Sequence, residues 1–386
     1  MTKITKLTHL LLLLVLTQPS IGQVNKDSLT VLINNLGQDL LKEKQTVGLS
    51  IGVYNNDKTY FYNFGTTEKG KQLIPTENTV YEIGSITKTF MSFLLAKAVS
   101  EKKVNLNDDI RKYLDGKYPN LEYSKNPIRL IHLANTSSGL PDWLPQIPDK
   151  ILKASTDSSS LLRADFYKKM TKQDFFTALH NCKLDTIPGS YGKHSNAAAM
   201  LLGYILETVF KKPISQLLQE NIARPFKMNE TSFSPTQNLA KGYNSKGDEM
   251  PYELPFFNTT GGLFSTTSDL LKYSKVLLDN QTKITKTVLQ RNIEVDMQNN
   301  KVKKVYPKNK YNPSSYSVSL NWFSYKFDNG ITQIWADGGT SGFCSYLVLL
   351  PKLNSAIVLL ANVNDEKIFK TLPNMTYPIM EVLGQK

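Results

Sequence analysis

The chain has 386 residues, 40% hydrophobic and 20% charged, an ordinary globular balance with material for one large domain or two intimate ones. Its formal net charge of +13 favours anionic surroundings, such as a cell-wall polymer or a membrane surface. With only His9, His132, His180 and His194, and with Cys182 and Cys344 as the sole cysteines, no cluster has metal-ligand spacing.

Residues 1–22 read as an export signal. Lys3 and Lys6 precede the apolar run 10–16, and Pro19-Ser20-Ile21-Gly22 stands before Gln23. That run is too short to span a bilayer, and no cysteine nearby offers a lipid anchor. The mature chain, residues 23–386, is therefore expected outside the cytoplasm, secreted or periplasmic, without a stable membrane anchor.

Residues 28–41 carry apolar side chains at helical spacing, with Leu29, Leu32, Ile33, Leu36 and Leu40 on one face. Residues 47–54 and 59–64, rich in β-branched and aromatic residues around Asn55-Asn56-Asp57-Lys58, predict a hairpin. The next helix begins near Ser85. Met91, Leu94, Leu95 and Ala98 recur at i, i+3, i+4 and i+7, and Gly84 lets the backbone turn sharply into the first turn. Ser85 then stands at the helix start with Lys88 one turn on, on the same side. A lysine there is a base for the hydroxyl if burial leaves the amine neutral. The helix N-terminus also favours negative charge developing at Ser85. The plainer reading makes Ser85 an N-cap. Ser-x-x-Lys recurs at Ser100 with Lys103 and at Ser190 with Lys193, but only Ser85 opens a strongly apolar helix.

From about residue 103 to 257 the texture is helical with irregular loops, including an ordered loop at 133–143 and a polar break at 155–160. Helices are expected at 166–179, 197–209 and 268–278, with a long surface loop at 235–255. Four strand-like runs follow, 317–326, 331–335, 343–350 and 355–361, separated by short turns and hence antiparallel. An amphipathic helix at 365–383 is expected to cover them. The basic stretch of Lys301, Lys303, Lys304, Lys308 and Lys310 reads as a solvated loop, and no nucleic-acid-binding motif surrounds it. The economical architecture is α/β (α+β): one antiparallel sheet built from both chain ends, flanked by helices, with a mostly helical region inserted. The α/β part is drawn at about 23–84 and 259–386, the helical part at about 85–258.

Two further stretches carry chemistry. Pro188-Gly189-Ser190-Tyr191-Gly192-Lys193-His194-Ser195-Asn196 ends at the mouth of an apolar helix. Trp335-Ala336-Asp337-Gly338-Gly339-Thr340-Ser341-Gly342-Phe343 ends one strand and begins the next. With Ser85 and Lys88, in this order and spacing, the chain resembles the serine β-lactamase-like superfamily. The branch is that of class C β-lactamases, D-alanyl-D-alanine carboxypeptidases and family VIII esterases. Val80-Tyr81-Glu82-Ile83-Gly84-Ser85-Ile86-Thr87-Lys88 is similar to the nucleophile motif of that family. His132-Leu133-Ala134-Asn135-Thr136-Ser137-Ser138-Gly139-Leu140-Pro141 is similar to its HLLTHTSGLP segment, and Gly261-Gly262-Leu263-Phe264-Ser265-Thr266 to its AGGLYST. His194-Ser195-Asn196 stands where the family has Tyr-x-Asn.

The resemblance implies an acyl-enzyme mechanism with no cofactor and no metal. Ser85 attacks a carbonyl with help from Lys88. The backbone N–H groups of Ser85 and Gly339 form the oxyanion hole, with Gly338 and Thr340 beside them on the substrate side. Asn196 hydrogen-bonds the substrate or Lys88. Two departures stand out. His194 replaces the proton-relaying tyrosine, a role imidazole can also fill. Ala336 occupies the place of a lysine or histidine that recognises a substrate carboxylate, and Asp337 adds negative charge beside it. The expected function is an exported serine hydrolase acting on an ester or amide bond of a small molecule or peptide, cell-wall compounds included. The rival is a silent binding protein that kept the fold and lost turnover.

Overall fold

The computed structural model describes residues 26–42, 46–154, 156–252, 258–303 and 314–385. The expected signal segment, 1–22, and Lys304, Lys308 and Lys310 of the basic stretch lie outside the described residues. Among the described residues, no helix is long and apolar enough to cross a membrane.

The first helix, α1 (Lys26–Leu41), buries Leu29, Ile33 and Leu40 at helical spacing. Strands β1 (Gly48–Asn55) and β2 (Lys58–Gly65) form the expected hairpin. Asn56 and Asp57 turn it with positive φ of 46° and 67°, the two-residue geometry whose twist matches the strands. Helix α2 (Thr87–Ser100) follows, then α3 (Asn196–Phe210) and α4 (Thr267–Asp279). The remaining strands of the main sheet are β3 (Ile293–Asp296), β4 (Val302–Lys303), β5 (Ser315–Val318), β6 (Phe323–Lys326), β7 (Thr332–Gly339), β8 (Cys344–Leu350) and β9 (Ser355–Ala361). Helix α5 (Glu366–Gly384) comes last.

Among the described residues the main sheet has nine strands, in the order β4-β3-β5-β6-β7-β8-β9-β1-β2. Every neighbouring pair is antiparallel. The two chain ends meet where β1 runs against β9, from Leu49 opposite Ala361 to Asn55 opposite Ser355. This is the architecture expected from the sequence, an antiparallel sheet made from both termini.

Period-two alternation sends β-strand side chains to two separate cores. Leu49, Ile51 and Val53 of β1 join Tyr346 and Val348 of β8 beneath α1 and α5. Leu347 and Leu349 point the other way, toward α2, α3 and α4. Helix α2 runs through this second core and is buried nearly all round, from Thr87 to Ala96, rather than on one face. Its polar side chains are satisfied locally. Thr89 Oγ1 donates to Ile86 O at 2.8 Å and Ser92 Oγ to Lys88 O at 3.0 Å.

Several expectations need correction. The helix expected at 166–179 is two helices, Thr156–Lys168 and Lys172–Asn181. Thr171 starts the second by accepting from Asp174 N at 3.2 Å, while Asp174 Oδ2 accepts from Thr171 N at 2.9 Å. The polar break at 155–160 overlaps the first of these. The single strand at 317–326 is the hairpin β5–β6, which turns at Asn321 with φ of 54°. Apart from these corrections, Cys182 and Cys344, whose pairing the sequence leaves open, are both free thiols.

Candidate active site

The Ser85 turn is held by the strand opposite it. Strand β6 pairs with β7 only as far as Phe323 opposite Trp335, which leaves the rest of β7 without that neighbour. The turn Gly84–Ile86, a single 3-10 turn leading into α2, docks there. Ser345 Oγ donates to Ile83 O at 2.8 Å, and Thr340 Oγ1 donates to the buried Glu82 carboxylate at 2.7 Å. Two glycines make the approach possible. A Cβ on Gly338 would overlap the Ile83 carbonyl oxygen and come within 2.8 Å of the Ser85 nitrogen. At Gly84, φ is +51°, and a Cβ would lie 2.7 Å from the Gly339 nitrogen.

Ser85 is not an N-cap: neither the 3-10 turn nor α2 has a side-chain cap. Its Oγ instead accepts a hydrogen bond from Lys88 Nζ at 2.7 Å. The same ammonium donates to Thr260 O at 2.7 Å. Lys88 is 6% exposed, and no carboxylate lies within ion-pair distance of it among the described residues. Burial holds its pKa down at about 8, against the pull of the Asp142 and Asp337 charges. A substantial fraction of the amine is then neutral near physiological pH, which ordinary lysines never reach.

The segment carrying Thr260 explains the third resemblance motif. Ile83 N donates to Leu263 O at 3.0 Å. Leu263 N in turn donates to Thr87 Oγ1 at 3.2 Å. The glycine-rich strip thus clamps the nucleophile turn from behind and aims a carbonyl at Lys88.

The second motif is fixed by the loop before it. Gly189 N donates to Ser137 O at 2.8 Å, and Lys193 N to Thr136 O at 2.7 Å. Half-buried His132, whose pKa is pushed down to about 4 by desolvation and then by Arg129, sits against Gly189. Ser195 caps α3 by accepting from Ala198 N at 3.0 Å and donates to Pro141 O at 2.8 Å. This stitching brings Asp142 to His194. Asp142 Oδ1 bonds His194 Nδ1 at 2.8 Å and accepts from Asn196 N at 3.1 Å and Asn196 Nδ2 at 3.2 Å. Burial works against the Asp142 charge, but His194, the Asn196 N–H and Lys88 outweigh it and hold the carboxyl below its usual range. The Asn196 amide is therefore committed to Asp142 and not to Lys88.

Ser85, His194, Asn196, Gly338, Gly339 and Thr340 line one cavity of about 750 Å³, with Lys88 behind Ser85. The seven residues singled out in the sequence thus meet around one opening. Thr340 keeps its hydroxyl on Glu82 while forming part of the wall. Ala336 turns away: its methyl is 3% exposed in the core with Leu347, and the cavity wall on this strand is Asp337. Asp142 and the Thr260 carbonyl were not anticipated as site groups. The only sequence signal for Asp142 was its place in the ordered loop at 133–143. Among the described residues, no group of His, Cys, Asp and Glu is arranged to hold a metal ion.

Known proteins resemble this chain in sequence and in fold. The chain is 25% identical over 349 residues to Protein flp of Staphylococcus aureus (strain N315), covering 88% of this chain and 64% of that protein's length. It is 25% identical over 348 residues to the D-alanyl-D-alanine-carboxypeptidase/endopeptidase AmpH of Escherichia coli (strain K12), covering 88% of this chain and 86% of that one. In fold it is similar to a β-lactamase/D-alanine carboxypeptidase from Yersinia pestis crystallised with citrate. The TM-score is 0.76 at 22% identity, over 94% of this chain and all (100%) of that one. A class C β-lactamase superposes with a TM-score of 0.74 at 20% identity, over 94% and 99% of the two chains. The Beta-lactamase family model matches residues 33–373, and with most of its length so matched the chain belongs to the β-lactamase family.

Proposed function

We propose that the protein is an exported serine hydrolase that cleaves ester or amide bonds through an acyl-enzyme on Ser85. The observation that carries this reading is the 2.7 Å contact between Lys88 Nζ and Ser85 Oγ, with the amine desolvated and the hydroxyl at a cavity. A neutral Lys88 takes the hydroxyl proton as Oγ attacks the carbonyl carbon. The carbonyl oxygen becomes an oxyanion under the N–H groups of Ser85 and Gly339. Collapse breaks the bond to the leaving group, which takes a proton from the Lys88 ammonium directly or through His194. Water then hydrolyses the acyl ester, its proton returning by the same groups.

Asp142 acts as a positioning residue. By holding Nδ1 of His194 and both nitrogens of Asn196, it fixes the wall facing Ser85 and leaves Nε2 as the free ring nitrogen. Export rests on Lys3, Lys6 and the apolar run 10–16, and N-terminal sequencing of the secreted chain should begin at Gln23.

The test is a panel of p-nitrophenyl esters, D-amino-acid amides and nitrocefin against the native protein and Ser85→Ala. Turnover of at least one class by the native protein, lost in Ser85→Ala, is expected. No turnover of any class would leave the binding-protein reading, and equal rates in both proteins would remove Ser85 as the nucleophile.

A further inference from the structure

The cavity wall on β7 carries an acid, Asp337, beside Ala336, the position at which the family resemblance leads one to expect a cation. Asp337 lies two residues before Gly339, on the stretch of strand that β6 leaves unpaired, and lines the cavity with Ser85. Its side chain makes no hydrogen bond and no ion pair with any other described residue; it is held only by its own backbone N–H and by the more distant charges of Lys88 and His194. The neighbouring carboxylate, Asp142, is already occupied by His194 and Asn196. Asp337 is thus the carboxylate near Ser85 left without a bonded partner.

A carboxylate drawn partly out of water without a partner is costly and persists where something supplies the missing charge. Burial pushes the Asp337 carboxyl up from its usual value, in line with that cost. The rest of the wall is suited to a cation with little hydration. Trp143, Tyr167, Tyr252 and Phe369 line the same cavity, and the Trp143 and Tyr167 rings lie 4.4 Å apart. Aromatic faces beside a carboxylate attract alkylated ammonium groups. Arg163 and Lys168 also reach this cavity, with Asp165 between them in sequence, on the helix Thr156–Lys168. The positive side chains on that helix therefore contribute to one wall, while β7 and the 133–143 loop contribute the acids Asp337 and Asp142.

We infer that Asp337 sets substrate choice by pairing with an ammonium group, so that the substrate class is a cationic ester or amide. The inference rests on the serine hydrolase reading above. The role is recognition and not proton transfer.

The test uses esters matched in shape. On the acyl side, p-nitrophenyl 4-(trimethylammonio)butyrate is compared with its neutral isostere, p-nitrophenyl 5,5-dimethylhexanoate. On the alcohol side, a choline ester is compared with the 3,3-dimethylbutyl ester of the same acid. One of the two pairs should show kcat/KM roughly tenfold or more in favour of the cation, the size of a charge-assisted contact. Asp337→Asn and Asp337→Ser should both bring that ratio close to one. A ratio near one in the native protein for both pairs, or a preference that survives both substitutions, would overturn the inference. If Asp337 acted only on Lys88, both esters of a pair would change together and the ratio would stay. Binding separates this outcome from failure of the hydrolase reading. In Ser85→Ala, which cannot be acylated, calorimetry with the amide analogues of both pairs should retain the cation preference and lose it on adding Asp337→Asn. Equal binding of cationic and neutral amides there contradicts the inference whether or not any ester is hydrolysed.

Discussion

Asp142 and His194 share a 2.8 Å hydrogen bond across 52 residues of sequence, and the same carboxylate oxygen takes both nitrogens of Asn196. One acid thus orients both polar side chains of the second motif. Because Asp142 acts through both His194 and Asn196, its loss should cost less once His194 is gone. Asp142→Asn and His194→Phe are each expected to lower kcat by roughly 10²–10⁴-fold, the usual range for a positioned proton-transfer group. The double variant should fall by less than the product of the two single losses. Steady-state kinetics on an activated ester measures the cycle, and additive losses would assign Asp142 to a separate role.

Lys88 gives the reaction its pH dependence. The active form is the neutral amine, so kcat/KM should rise with pH and level off above about 8, the value to which burial lowers this lysine. The charges of Asp142 and Asp337 both favour the ammonium, so Asp142→Asn should move the rising limb to lower pH. Lys88→Ala should lower kcat by roughly 10²–10⁴-fold. A profile flat from pH 6 to 9 would remove Lys88 as the base.

Gly338 is a packing constraint that serves the site. Its Cα approaches the Ile83 carbonyl and the Ser85 nitrogen too closely for any side chain. Gly338→Ala should therefore destabilise the fold by about 1–3 kcal/mol and displace the nucleophile turn. Thermal unfolding and acylation rate should drop together. An unchanged melting temperature would mean that β7 gives way without strain.

Penicillins should be poor substrates relative to neutral short-chain esters. The wall of β7 meets a substrate carboxylate with Asp337 and no cation, and a missing charge-assisted hydrogen bond costs about 1.5–3 kcal/mol, roughly ten- to a hundredfold. Competing nitrocefin and p-nitrophenyl acetate rates measure the ratio. Nitrocefin turnover equal to that of the ester would show that a cation elsewhere, such as Arg163 or Lys168, takes the carboxylate.

The sequence was most readable where local pattern and chemistry coincide. The β1–β2 hairpin, α2 and the strand β9 are visible because alternation, helical spacing and turn residues agree at each. Ser85, in the 3-10 turn that leads into α2, and Lys88, in the first turn of α2, are close neighbours along the chain, so their meeting needs no tertiary knowledge. Asp142 could not be found this way, since its link to His194 depends on the backbone bonds from Thr136 and Ser137 to the 189–193 stretch. The helix Thr156–Lys168 was hidden by its Thr-Asp-Ser-Ser-Ser start, residues that favour turns unless an ordered context overrides them. The β5–β6 turn was missed because Asn321 adopts a left-handed conformation that no dipeptide signal announced. Whether Ala336 or Asp337 faces the cavity is open in the sequence. Core packing of the Ala336 methyl decides it for Asp337.

Covalent labelling tests the central claim most directly. Treated with a fluorophosphonate, the native protein should gain the mass of one adduct, and peptide mapping should place it on the fragment containing Gly84-Ser85. Ser85→Ala should gain none, and labelling of the native protein should quicken as pH rises toward 8 with the neutral fraction of Lys88. No adduct on the native protein, or an adduct on Ser100 or Ser190 in place of Ser85, would contradict the account.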